Sequence, residues 1–262
     1  MVVLENFINK TINDDCLSVL PDIPDSSIDL VITSPPYFVN KSYEENWSLQ
    51  YYLDLMNSVF KQISRVLKPG KYFVVNFGDY FDNGRIIKTE IPSVYPASIN
   101  YFHWGRINNL DLQATRIWRK NFSRMSIPFV CNSHPRPVFD YEHIWTFRKP
   151  NGTNKETVND RKKSQRGVWG DSWNSPAFLS KHDAAFPIEL PEWSIDVYSD
   201  NTDDIILDPF AGKGTTLLAA KRKGRNFIGI EKDYDNYQKI INELNNSTLI
   251  KIGNKKIKIN RI

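Results

Sequence analysis

The chain has 262 residues, 40% of them hydrophobic and 24% charged, which suits a soluble globular protein built as one large α/β domain or as one domain with an inserted part. Its formal net charge of +4 is too small to make the whole surface a polyanion binder, so any nucleic-acid contact must come from local clusters. The two cysteines and four histidines are scattered without ligand spacing, no apolar run is long enough to span a membrane, and Met1–Lys10 does not read as a signal peptide, which together point to a reduced, cytoplasmic protein without a metal site.

In chain order, the first feature is Asn13-Asp14-Asp15-Cys16, set between short apolar stretches. An acid there reads first as a helix cap and second as a group facing a ligand at the carboxyl edge of a sheet. Pro21–Ser27 is a turn-rich link. Ile28–Thr33 is an apolar run of strand length, and it opens directly onto Ser34-Pro35-Pro36-Tyr37. The two prolines fix φ and remove two backbone donors, so this segment can neither extend a sheet nor start a helix freely. It is a rigid ledge of carbonyl oxygens, one hydroxyl and one flat ring, suited to accept hydrogen bonds from an amino group and to stack on a planar ring. Phe38–Trp47 reads as a loop over that ledge.

Ser48 is placed to cap a helix whose apolar positions Leu49, Tyr52, Leu53, Met56, Val59, Phe60, Ile63, Val66 and Leu67 share one face. Lys68-Pro69-Gly70-Lys71 stops it. Tyr72–Phe77 is β-branched and aromatic, hence a second buried strand, ended by Gly78-Asp79-Tyr80. Strand, helix and strand at this spacing form a βαβ unit and imply a parallel sheet. Phe81–Gly105 is irregular, with room for a helix or two. Leu112–Lys120 and Tyr141–Phe147 read as an antiparallel pair at one edge of the sheet, connected through Val130–Val138.

Composition shifts at Arg148. From there to Lys181, basic residues interleave with Trp169 and Trp173, and aliphatic residues almost vanish. Such a stretch cannot bury a core of its own. It reads equally as a solvated loop and as a nucleic-acid contact, since cations suit phosphates and large rings suit bases.

Order returns with a helix over Ile188–Tyr198 and a short strand, Ile205–Leu207, that runs into Asp208-Pro209-Phe210-Ala211-Gly212-Lys213-Gly214-Thr215-Thr216. A helix over Leu217–Lys223 is closed by Gly224. The strand from Asn226 then ends in Glu231, and a helix follows over Tyr234–Leu244. The Lys-rich tail, Thr248–Ile262, reads as a hairpin around Gly253-Asn254 or as an exposed end. Glycines let the backbone approach a ligand closely, a helix N-terminus favours an anionic group, and an acid ending the next strand suits a ribose diol. The G-x-G pattern is not the dinucleotide fingerprint, and Lys213 followed by Gly214 is not a phosphate loop. A nucleoside-type cofactor is expected; the plain alternative is an ordinary βα turn with a capping acid.

Asp208–Thr216 resembles the S-adenosylmethionine loop of bacterial amino-methylating DNA methyltransferases, and Thr33–Tyr37 resembles their S/D/N-P-P-Y catalytic motif. Arg65–Gly70 is similar to the family's R-V-L-K-P-G segment, and Ile117–Lys120 to its I-W-x-K segment. Asn13–Leu20 and His182–Pro187 resemble the stretches before the catalytic motif and before the cofactor loop. Lys149–Lys181 and the tail have no counterpart. With the catalytic motif first and the cofactor loop last, the order resembles the beta group, a circularly permuted methyltransferase domain.

The resemblance implies an α/β, Rossmann-like fold: a mostly parallel seven-stranded sheet with one antiparallel strand, helices on both faces and a small inserted target-recognition region. Residues 1–148 would carry the catalytic part, 149–181 the insert and 182–262 the cofactor part. The implied reaction is site-specific methyl transfer from S-adenosyl-L-methionine to an exocyclic amine of a base flipped out of duplex DNA. Ser34, Pro35, Pro36 and Tyr37 would form the catalytic ledge, with Ser34 and the Pro35 carbonyl accepting the two amino hydrogens and Tyr37 stacking on the base.

The same resemblance assigns the cofactor to Asp15, Thr33, Asp208, Pro209, Phe210, Gly212, Gly214, Thr215 and Glu231. Asp15 would sit at the adenine end, with Asp14 as the alternative, and Glu231 would hold the ribose hydroxyls. DNA contacts would come from Arg119, Lys120, Arg161, Lys162, Lys163 and Arg166. Neither Cys16 nor Cys131 lies in a Pro-Cys motif, so covalent attack on a cytosine ring carbon is disfavoured. Serine in the motif's first position goes with N4 of cytosine and aspartate with N6 of adenine, so cytosine leads and adenine is the alternative. An RNA or protein amide methyltransferase is the more distant one. The implied partner is double-stranded DNA, with room for a cognate restriction endonuclease acting separately; no membrane is involved, and the oligomeric state is open.

Overall fold

The computed structural model describes residues 3–38, 44, 46–82, 93–121, 141–151, 175–176, 186–246, 249–252 and 255–258. Strand β1 (Lys10–Ile12) leads through the short helix α1 (Cys16–Val19) to β2 (Ile28–Thr33), α2 (Leu49–Val66) and β3 (Leu67–Phe77). The small pair β4 (Tyr80–Asp82) and β5 (Ser93–Tyr95) precedes α3 (Ser98–Ile107), β6 (Asp111–Asn121), β7 (Tyr141–Arg148) and the two-residue β8 (Ser175–Pro176). Then come α4 (Glu189–Tyr198), β9 (Ile205–Asp208), α5 (Thr215–Arg222), β10 (Asn226–Ile230), α6 (Tyr234–Asn246) and the hairpin β11 (Leu249–Ile252) with β12 (Lys255–Lys258).

The main sheet runs β1-β10-β9-β2-β3-β7-β6-β8. The strands from β1 through β3 pair parallel, and β7 alone is antiparallel to both of its neighbours. This is the expected mostly parallel sheet of seven strands, to which β8 adds two residues beside Lys120 and Asn121. Every residue of β2 is buried, as a central strand covered on both faces requires. One core holds the inner faces of α1, α2 and α3; the other, on the opposite face, holds those of α4, α5 and α6.

Local chemistry accounts for these elements. Ser48 caps α2, its Oγ accepting from Tyr51 N at 3.0 Å, and Tyr52, Met56, Val59, Phe60, Ile63 and Val66 form the buried stripe. Burying each such side chain contributes about 1.5–3 kcal/mol. In the last turn, Arg65 donates to Leu20 O at 2.6 Å and Ile23 O at 2.8 Å, fastening the link before β2. At the amino ends of the central strands, the buried Asp29 carboxylate accepts from Lys68 Nζ at 2.7 Å and Ile205 N at 3.1 Å, which joins β2, β3 and β9.

Two expectations shift, and a stretch left open is filled by a helix. The Lys68–Lys71 stop lies inside β3, because the register between β2 and β3 jumps there. Pro69 therefore sits where its missing N–H breaks no ladder, and Gly70, at φ +78°, donates to Lys149 O at 2.9 Å. Lys149 itself belongs to the body, with Nζ donating to Leu67 O at 2.7 Å. The irregular stretch Phe81–Gly105 contains β5 and most of α3. Ile99 and Phe102 are 65% and 47% exposed on α3, so apolar residues on its outer face hide the helical period. Gly105 is required there, since a Cβ would come within 2.4 Å of the Phe147 ring. The connection Val130–Val138 lies outside the described residues, and the tail forms the hairpin.

Candidate active site

Helix α2 carries the chain from β2 to β3, and α5 carries it from β9 to β10, on the other side of the pair β2 and β9. The strand order reverses between these neighbours, and the crevice beyond their carboxyl ends is where open α/β sheets bind ligands. Both sequence motifs open into it. Thr33 Oγ1 donates to Asp208 Oδ1 at 2.6 Å, joining residues far apart in the chain, and Phe210 N donates to the same oxygen at 3.1 Å. Thr33 and Asp208 are each 1% exposed. Burial pushes the Asp208 carboxyl up from 3.8 to about 6, against the hydrogen bonds that favour its charge, the one from Thr33 foremost.

The ledge is braced from below. Tyr52 OH donates to Pro36 O at 3.2 Å. Phe38 has φ +62°, which costs a bulky side chain roughly 1–3 kcal/mol. It is held by stacking on Tyr52, with centroids 5.2 Å apart, and by its N–H donating to Oε1 of the fully buried Glu44 at 3.0 Å. Among the described residues the Pro35 carbonyl accepts no hydrogen bond, so it is available to a ligand. Ser34 Oγ lies 2.5 Å from Tyr37 OH. Tyr37 OH in turn faces Asn76 O at 3.2 Å, Asn76 Oδ1 at 3.3 Å and Glu142 Oε2 at 3.4 Å. Beside them, Asn76 Nδ2 donates to His143 O at 3.0 Å, and Asp79 Oδ2 meets His143 Nε2 at 2.9 Å.

The glycine loop is a tight cradle. Gly212 and Gly214 have φ +55° and +79°, and Gly214 is the N-cap of α5. Gly214 N donates to Ala211 O at 2.7 Å, and Ala211 N to Ile230 O at 2.9 Å. Glu231 clamps the loop, accepting from Gly212 N at 2.6 Å and Asp233 N at 2.8 Å; burial raises its carboxyl pKa. Asp15 caps α1, accepting from Leu17 N at 2.9 Å, and its other oxygen accepts from Lys232 Nζ at 3.1 Å. Asn13 Nδ2 donates to Glu231 O at 2.9 Å, so Asn13, Asp15 and Glu231 share one rim.

Thr33, the ledge, Asp208, the turn Pro209–Phe210, the glycines, Thr215, Glu231 and Asp15 therefore lie along one edge of the sheet. Arg119, exposed near the end of β6, is at the same edge, opposite Tyr141. Lys120 is the next residue of β6. Arg161, Lys162, Lys163 and Arg166 lie outside the described residues. Sequence reasoning missed Asn76 and Glu142 behind the ledge and Glu44 and Tyr52 beneath it. Asn76 did carry a signal, as the one polar residue in the run Phe73–Phe77; Glu44 carried none.

Cys16 is a buried free thiol whose pKa burial pushes up to about 12, which makes it a poor nucleophile at neutral pH. Among the described residues there is no His, Cys, Asp or Glu cluster that could hold a metal ion, and no helix long and apolar enough to cross a membrane.

Residues 28–243 match a family model described as DNA methylase, of the N6/N4 type. The chain is 32% identical over 242 residues to the Type II methyltransferase M.BglII of Bacillus subtilis, covering 87% of this chain and 67% of that protein. It is 29% identical over 254 residues to the Type II beta methyltransferase M.BslI of Bacillus sp. (strain NEB-606), covering 88% of this chain but only 28% of that longer relative. In structure it is similar to TTHA0409 of Thermus thermophilus, assigned as a DNA modification methylase and crystallised with S-adenosyl-L-methionine. The TM-score is 0.70 at 28% identity, over 95% of this chain and 96% of that one.

Proposed function

The chain belongs to the DNA methylase family of the N6/N4 type, and from that premise we propose that it methylates the exocyclic N4 of cytosine at a specific site in duplex DNA, with S-adenosyl-L-methionine as methyl donor. The observation that carries this reading is the 2.6 Å bond from Thr33 to Asp208. It fastens an amino-accepting ledge to a glycine cradle, side by side at the sheet's switch point.

The residues present fit the donor. Gly212 leaves the backbone open where a Cβ would stand, Gly214 takes a left-handed φ of +79° that turns the chain into α5, the N-terminus of α5 suits a carboxylate, and Glu231 sits where a ribose diol would be held. Pro209, Phe210 and Thr215 would shape the methionine end, and Asp15 the adenine end. Asp208 and Thr33 act from beneath, by holding the loop and the ledge in register. When bound, the donor supplies an electrophilic methyl on a sulfonium.

An exocyclic amine is a weak nucleophile, because its lone pair is delocalised into the ring. Ser34 Oγ and the Pro35 carbonyl accept its two hydrogens and return electron density to nitrogen. The Tyr37 ring stacks on the base. Reaching the ledge requires the base to leave the duplex, at a cost of a few kcal/mol. Catalysis is then orientation plus dipoles fixed at the nitrogen as it becomes cationic.

Serine at position 34 favours cytosine. Adenine N6, the alternative, presents the same two donors. Arg119 and Lys120 at the site's edge, with Arg161, Lys162, Lys163 and Arg166 of the insert, would meet DNA phosphates. The Type II methyltransferase relatives support a modification role; we place the enzyme in the cytoplasm, with room for a cognate restriction endonuclease that acts separately.

Ser34→Ala tests this reading. Methyl transfer to DNA from tritiated S-adenosylmethionine should fall by about 10²–10³, as for other fixed dipoles at a developing charge, while donor affinity stays at the wild-type value. Equal losses in both would remove Ser34 from the chemistry.

A further inference from the structure

Behind the ledge, Tyr37 has one hydroxyl proton, and three acceptors face it: Asn76 O at 3.2 Å, Asn76 Oδ1 at 3.3 Å and Glu142 Oε2 at 3.4 Å. The Asn76 side chain is fixed as an acceptor toward Tyr37, because its Nδ2 donates to His143 O at 3.0 Å. These acceptors give the Tyr37 proton a direction away from Ser34. Either hydroxyl can donate in the 2.5 Å contact between them; with the Tyr37 proton on one of these acceptors Ser34 is the donor, and its lone pairs are left for the amino hydrogens of a target base. Of these acceptors only the carboxylate takes up a proton readily. Glu142 stands at the start of β7, one residue before the His143 that pairs with Phe77 at the carboxyl end of β3. It is half-buried, so it can pass a proton on to water.

We propose that Ser34, Tyr37 and Glu142 form a relay that carries the surplus proton away from the methylated nitrogen. The proposal rests on reading Ser34 as the amino-accepting group. As the new N–C bond forms, the donor's S–C bond breaks and its electron pair stays on sulfur. The nitrogen turns cationic in that transition state and sheds one proton as the bond forms. That proton goes to Ser34 Oγ as the Ser34 proton passes to Tyr37 and the Tyr37 proton passes to Glu142. Both hydroxyls end neutral, and Glu142, now an acid, releases its proton to solvent. A serine hydroxyl is too weak a base to hold that proton alone, and the relay connects it to a carboxylate. Glu142 works through Tyr37, without touching the base.

The test uses the full chain, tritiated S-adenosylmethionine and DNA from a host that makes no methylated amino bases, under single-turnover conditions. Glu142→Gln keeps the size and one acceptor oxygen but cannot take the proton. Its rate should fall on the order of a hundredfold, the lower range for a positioned proton transfer, with dissociation constants for donor and DNA within about twofold of wild type. Glu142→Asp should recover part of the rate. Combining Glu142→Gln with Tyr37→Phe should cost no more than Tyr37→Phe alone, because the two act in one chain. A wild-type rate in Glu142→Gln, additive losses in the double variant, or a rate loss matched by lost DNA affinity or a lower melting temperature would each overturn the relay. If the wild-type protein labels no DNA, the methyltransferase reading itself fails and the relay falls with it.

Discussion

Asp208 offers a test in which burial and charge pull in opposite directions. Its carboxyl is fully buried, and its pKa is raised from 3.8 to about 6. A raised folded-state pKa means that the stabilisation present below 3.8 is lost as pH rises through about 6. The difference of roughly two units corresponds to about 3 kcal/mol at 1.36 kcal/mol per unit. Asp208→Asn removes the charge but keeps Oδ1 to accept from Thr33 Oγ1 and Phe210 N. In urea denaturation the variant should match wild type near pH 4 and exceed it by up to about 3 kcal/mol at pH 8, the gap opening above 3.8 and levelling off beyond about 6. Asp208→Ala has the opposite sign. It strands two buried donors at roughly 1–3 kcal/mol each, unties the ledge from the loop and should weaken donor binding. An Asn variant less stable than wild type at pH 8, or a gap that does not change with pH, would refute the reasoning.

Two further outcomes follow from the geometry. Gly214→Ala forces a side chain to φ +79° and brings its Cβ within 3.0 Å of Ile240 Cγ1 and Cγ2. It should cost about 1–2 kcal/mol in urea midpoint from the backbone alone and reduce donor affinity in calorimetry, whereas wild-type affinity would remove the loop from the donor site. Replacing Arg161, Lys162, Lys163 and Arg166 together by alanine should make the slope of log K against log salt shallower by about three to four, at roughly 0.9 per phosphate contact. An unchanged slope would move the phosphate contacts to residues such as Arg119 and Lys120.

The helix α2 was legible because Ser48 and a regular apolar stripe both mark it. The glycine cradle was legible because the G-x-G spacing falls between two strands, and only glycine tolerates those φ values without strain. The helix α3 was hidden, since Ile99, Phe102 and Ile107 put apolar side chains on its solvent face. Asp208 was visible as a site acid, but its burial was not. Nothing local says that β9 lies beside β2, and only that adjacency sinks the carboxylate beneath Thr33. Glu142 looked like the ordinary polar start of an alternating strand. Its place behind Tyr37 follows from the antiparallel register of β7 on β3, which the alternation of a single strand does not specify. Glu44 lies in a stretch without periodicity, and its role comes from the φ of Phe38, six residues back.

The central claim is that Ser34 and Pro35 present an amino group of a DNA base to a methyl donor held by the neighbouring loop. Nucleoside mass spectrometry of DNA from a host expressing the chain tests it most directly, with the Ser34→Ala variant as the control. The account predicts N4-methylcytosine with the wild-type chain and none with the variant. N6-methyladenine in its place would overturn the base assignment, and DNA carrying neither modification would contradict the claim.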